Sequence, residues 1–117
     1  MKLLILIFSD TETHADTAKV VNALGIAREF IQAGEEVQII FDGAGTRWIP
    51  RLTDSKNPFH AAFEAVRAAV AGSCAFCSKT FGVEEEVRSA GIPLLSEFSG
   101  HPSIHPRVAQ GYSLLVF

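Results

Sequence analysis

The stretch Lys2-Leu3-Leu4-Ile5-Leu6-Ile7-Phe8 decides the fold. It is continuously aliphatic rather than alternating, the pattern of a strand buried on both faces of a parallel sheet. It is too short to cross a bilayer, which takes about 20 apolar residues. The polar run Ser9-Asp10-Thr11-Glu12 follows directly, where an export signal would carry a small-residue cleavage site. From about Asp16 the apolar period becomes 3.6. Val20, Ala23, Leu24, Ala27 and Ile31 share one helical face and Lys19, Asn22, Glu29 and Gln32 the other, with Gly34 in the stop position. Val37 to Phe41 then reads as a second strand. Strand, helix and strand in that order make a right-handed crossover between parallel strands.

Farther along, Arg47 to Leu52 reads as a short helix. Pro58 suits the first position of the next one, with Phe59, Ala62, Phe63 and Val66 as its apolar stripe. A strand begins somewhere between Ala68 and Gly72, where Ala-Ala-Val-Ala-Gly gives only a weak β signal. Val83 to Ala90 reads as a helix capped by Gly91, and Ile92 to Leu95 as a fourth strand. The Gly100 to Pro106 segment opens a short helix closed by Gly111, and Tyr112 to Phe117 is a terminal strand. The alternation predicts one three-layer α/β/α domain over residues 1–117, with a mainly parallel sheet of roughly four to six strands and the first strand central.

The composition fits one self-sufficient core: 117 residues, 48% of them hydrophobic. A net charge of −3 with no basic run argues against a nucleic-acid partner. No segment is long enough to span a membrane, so a cytoplasmic, reducing compartment is the expectation. There, two cysteines three positions apart are reactive or metal-binding rather than a structural staple.

Those cysteines, Cys74 and Cys77 in Cys74-Ala75-Phe76-Cys77, are the candidate catalytic residues. A thiol at a strand end that opens a helix meets free N–H groups, which favour thiolate, and a pKa of about 3.5 to 7.5 is expected for Cys74. Cys77, one turn on, is auxiliary. The competing reading is a pair of small buried hydrophobes. His101 and His105 are four apart but flanked by Pro102 and Pro106, and 23 residues separate Cys77 from His101, wider than a zinc-finger spacing. No metal or cofactor is therefore expected to be needed for folding. In Asp42-Gly43-Ala44-Gly45 the third glycine of a dinucleotide fingerprint is missing. Gly43 and Gly45 nonetheless leave backbone N–H groups open to a ligand. With His14 and His101 they complete a candidate ligand loop. His14 either faces the cysteine segment or caps the first helix.

The chain resembles the DsrE/DsrF-like family of small α/β proteins over essentially its full length. The resemblance rests on the opening strand with its Thr13-His14-Ala15 helix start, on Phe41-Asp42-Gly43-Ala44-Gly45-Thr46, on the cysteine segment ending Phe81-Gly82-Val83, and on Gly100-His101-Pro102. It implies a sulfur carrier or sulfurtransferase-like protein bearing a persulfide on a cysteine shortly before a Gly-Val pair. Cys74, eight residues before Gly82, takes that position. The resemblance further implies a protein sulfur donor or acceptor and assembly as a homotrimer or homohexamer. Cys77 is extra relative to the relay subunits, which leaves a dithiol redox role open. A metal-binding module using Cys74, Cys77 and a histidine, and a small-ligand-binding subunit with incidental cysteines, are the alternatives.

Overall fold

The computed structural model describes residues 1–117 as a single α/β domain. Strand β1 (Lys2–Ile7) leads through helix α1 (His14–Gln32) to β2 (Glu36–Phe41). A 3-10 turn (Gly43–Arg47), α2 (Trp48–Leu52), α3 (His60–Glu64) and a second 3-10 turn (Arg67–Ala69) lead to β3 (Val70–Cys74). Then come α4 (Ala75–Thr80), α5 (Glu84–Ser89), β4 (Leu94–Leu95), α6 (His105–Ala109) and β5 (Tyr112–Val116). The five strands are ordered β4-β3-β2-β1-β5, and every pairing is parallel. The expected α/β/α class and strand number stand. β1 is interior, between β2 and β5, while the middle of the sheet is β2.

Strand order dictates where the helices go. The first three crossovers step the same way across the sheet, so right-handedness puts all their helices on one face. There α1, α2, α3 and α5 pack over the outward residues of β1 and β2. Leu3, Ile5, Ile7, Ile39 and Phe41 meet Val20, Leu24, Ile49, Leu52, Phe63 and Val87 in one buried cluster. The return from β4 to β5 runs the opposite way and lays α6 on the other face. That second layer is thin: Leu4, Leu6, Ile40 and Tyr112 are buried, with Ile104 and Leu95 against them. Leu114 and Val116 of β5 stay exposed.

Local chemistry explains the boundaries. Thr13 is the N-cap of α1, its hydroxyl accepting from the Asp16 N–H at 3.0 Å. The helix so begins at His14, two residues before its apolar period is readable. Pro58 does not open α3, which starts at His60. The Asn57 side chain instead accepts from the Phe59 N–H at 2.8 Å and holds that segment as a turn. In β3 the register jumps, Ile39 pairing with Val70 but Ile40 with Gly72, so Ala71 is an extra residue, a β-bulge. Gly72 is required by close packing: a Cβ there would stand 2.6 Å from the Pro93 carbonyl oxygen of the chain entering β4.

Candidate functional site

Three neighbouring strands, β2, β3 and β4, deliver their carboxyl ends side by side, and the chain leaving each carries one part of the site. Asp42 follows β2, Cys74 ends β3, Cys77 lies in the first turn of α4, and His101 comes from the segment after β4. The bulge in β3 places Ser73 on the main-core face, paired with Phe41 and Leu94, and Cys74 on the opposite face beside Leu95. Ser73 and Ser78 hydroxyls bond each other at 2.8 Å beneath the motif, tying the strand end to α4.

His101 is brought in by a tight reversal. Phe98 and His101 exchange backbone hydrogen bonds of 2.9 and 2.8 Å, and the two residues between them, Ser99 and Gly100, have φ of +51° and +85°. That is a type I′ turn, which needs positive φ at both central residues: Gly100 adopts it freely, and Ser99 is the one non-glycine residue of the chain held there. The Gly100 carbonyl accepts the Phe76 N–H at 3.0 Å, binding the reversal to the start of α4. The Phe76 ring lies against the His101 imidazole, centroids 4.9 Å apart.

The result is a closed cluster. Cys74 Sγ lies 3.3 Å from His101 Nδ1 and accepts from the Cys77 N–H at 3.4 Å. One donor atom from each of Asp42, Cys74, Cys77 and His101 lies within 4.8 Å of all the others. Both thiols are free; Cys74 is fully buried and Cys77 half-buried. Burial pushes the Cys74 thiol up from 9.0 to about 12, with the charges of Asp42 and Cys77 adding to the rise. The expectation of a low-pKa thiolate at Cys74 is therefore corrected. α4 is only six residues long, a single N–H reaches the sulfur, and removal from water outweighs that one favourable bond.

The other predicted site residues separate into two groups. His101 joins the cysteines. His14 does not: it is exposed at the head of α1, on a shallow cleft with Thr11, Glu12, Thr17 and Phe59 that contains neither thiol, and the cap is Thr13. Gly43 and Gly45 lie in the turn after β2, but their N–H groups are already used, by the Asp42 side chain at 2.7 Å and the Asp42 carbonyl at 2.9 Å. The expectation that these N–H groups are open is corrected. Gly45 is instead a contact glycine, since a Cβ would stand 2.7 Å from the Ile7 carbonyl carbon. His105 begins α6, is exposed, and is absent from the cluster. Asp42 takes the place a second histidine would have filled. Its one available signal was position, the first polar residue after the apolar end of β2.

Fold and site together define a small parallel α/β domain with a buried Cys-x-x-Cys at a strand end, faced by a histidine and a carboxylate. No family model matches the chain. It is 29% identical over 116 residues to an uncharacterized protein of Methanocaldococcus jannaschii, MJ0733, covering 98% of this chain and 94% of that protein. Among solved structures it is similar to a conserved protein of unknown function from Bacteroides thetaiotaomicron, BT1422. The TM-score is 0.63 at 18% identity, covering 99% of this chain and 94% of that one, which supports the fold. No helix is long and apolar enough to cross a membrane.

Proposed function

We propose that the chain is a sulfur carrier that holds sulfane sulfur as a persulfide on Cys74, as its resemblance to the DsrE/DsrF-like family implies. The observation that carries this reading is the pairing of Cys74 Sγ with His101 Nδ1 at 3.3 Å, with a second thiol, Cys77, within 4.8 Å. Because burial keeps Cys74 protonated, the imidazole is the base that frees it. In loading, Cys74 Sγ attacks the outer sulfur of a donor persulfide while its proton passes to Nδ1. The donor S–S bond breaks, the new Sγ–S bond forms, and the departing thiolate takes the proton. Delivery is the same exchange in reverse, with an acceptor thiol attacking the outer sulfur. Alternatively, Cys77 attacks Cys74 Sγ, hydrosulfide leaves, and the Cys74–Cys77 disulfide needs an external dithiol to reset it.

In this reading the partners are protein thiols, the compartment is cytoplasmic, and the chain assembles as a homotrimer or homohexamer. Intact-mass measurement after exposure to a persulfide donor tests it. The protein gains one sulfur atom, removable by reductant. Cys74→Ser abolishes the gain, Cys77→Ser reduces or prolongs it, and His101→Ala slows it. If Cys77→Ser alone removed the gain, the two roles would be reversed. If neither cysteine mattered, the carrier reading would fail.

A further inference from the structure

We infer that Asp42, Cys74, Cys77 and His101 form a four-donor site for a zinc-like transition-metal ion. The inference stands apart from the carrier reading, because it needs only the donor set and its geometry.

The cluster joins two sulfurs, an imidazole nitrogen and a carboxylate oxygen from three successive strand ends. Two thiolates with an imidazole select borderline-soft ions over magnesium or calcium, which prefer oxygen. A tetrahedral zinc site, with bonds of about 2.3 Å to sulfur and about 2.0 Å to nitrogen or oxygen, has donors roughly 3.3 to 3.8 Å apart. Cys74 Sγ and His101 Nδ1 are already at 3.3 Å. No two donors are more than 4.8 Å apart, so a closure of at most about 1 Å brings the set to that spacing. Rotation about the side-chain bonds of Asp42 and Cys77, the half-buried members outside that pair, supplies such a movement.

The surroundings are also those of a metal site. The Gly43 N–H orients one Asp42 oxygen at 2.7 Å, leaving the other for a ligand. Asp42 makes no ion pair with any lysine, arginine or histidine. The Cys77 N–H points at Cys74 Sγ, the Phe98–His101 turn fixes the histidine backbone, and Phe76 braces its ring. Such outer contacts hold ligands in place before the ion arrives. Two thiolates and one carboxylate around a divalent ion leave a single net negative charge. The bound ion occupies Cys74, so metal and persulfide exclude each other.

The test is titration of the chelator-treated, fully reduced chain with Co²⁺ under anaerobic conditions. One equivalent should produce sulfur-to-cobalt charge-transfer absorption and the intense visible bands of tetrahedral cobalt. One equivalent of Zn²⁺ should abolish both. Cys77→Ser and Asp42→Asn should each weaken Co²⁺ binding by at least about tenfold, and Cys77→Ser should also reduce the charge-transfer intensity. His105→Ala should leave the titration unchanged. The inference is overturned if the wild-type chain, with both thiols shown reduced, gives no thiolate–cobalt absorption. It is overturned in its ligand set if Asp42→Asn binds like wild type, or if His105→Ala weakens binding as much as Asp42→Asn. Sulfur gain measured on metal-free protein is read separately. A failed cobalt titration with sulfur gain intact sinks only the metal site, and the reverse result sinks only the carrier.

Discussion

Alkylation of the native chain should spare Cys74, and the structure sets by how much. At pH 8 a thiol of pKa 9.0 is about one-tenth ionised, whereas one at about 12 is ionised in only about one molecule in ten thousand, a thousandfold deficit. A thiolate of higher pKa is intrinsically more nucleophilic, with a Brønsted coefficient of about 0.4 to 0.5, which returns roughly 15- to 30-fold. Ionisation alone therefore slows Cys74 by roughly 30- to 60-fold against the same residue in the unfolded chain. The absence of any exposed surface on Cys74 slows it further. The assay is iodoacetamide labelling at pH 8 without metal, in buffer and in denaturant, with peptide-level mass spectrometry to read each cysteine. Cys77, the half-buried thiol, should be labelled first in the native protein. The sign fixes the pH response as well. A thiol raised on folding leaves stability whole below pH 9 and erodes it as pH climbs from 9 towards about 12. Labelling of native Cys74 at its unfolded-state rate would refute the burial argument.

Gly45→Ala should cost about 2 to 4 kcal/mol in urea unfolding, because the added methyl meets the Ile7 backbone and not a movable side chain; a loss below about 0.5 kcal/mol would contradict the contact. The Thr11 N–H, followed by the charge of Arg47, holds the Asp10 carboxyl below its ordinary 3.8. That stability is present above pH 3.8 and lost as pH falls through the lower, folded value. Arg47→Met should accordingly lower the Tm most at neutral pH, with the gap to wild type closing in acid; a gap independent of pH would show that Asp10 and Arg47 are uncoupled. In the proposed assembly, the exposed Leu114 and Val116 of β5, on the Tyr112 side of the sheet, are the apolar contact surface. Light scattering should return an oligomer that Leu114→Glu weakens, and a wild-type monomer throughout the micromolar range would rule assembly out.

The sequence made the first half of the sheet readable because β1, α1 and β2 each carry an uninterrupted pattern: six strand residues, a 3.6-residue period, and a glycine stop with φ of +82°. β3 was obscure for a physical reason. Its bulge breaks the alternation and its small residues leave room for β4, so Ala-Ala-Val-Ala-Gly lacks the branched side chains that mark a strand. β4 pairs over two residues only, too few for any period to register. At the site, Cys74, Cys77 and His101 were each singled out by residue type, yet their proximity depends on the type I′ turn at Ser99-Gly100. Asp42 was passed over because a lone carboxylate after a strand has no spacing partner in the chain. The direction of the Cys74 pKa was misread because the cover over the strand end comes from a segment 24 to 27 residues away, at Phe98 to His101.

The extra residue in β3 works as slack in the chain. Ala71 and Gly72 together stand opposite Ile40, and beyond them the alternation resumes, Ser73 toward the helices and Cys74 toward His101. Deleting Ala71 keeps the upstream and downstream partners, Val70 with Ile39, Gly72 with Ile40 and Ser73 with Phe41, so the thiol stays on its side. A deletion at Ser73 has no such slack to draw on: it would set the cysteine opposite Phe41, inside the helix layer, and silence the site. Two one-residue deletions, two positions apart, thus differ completely in what they do to the sulfur.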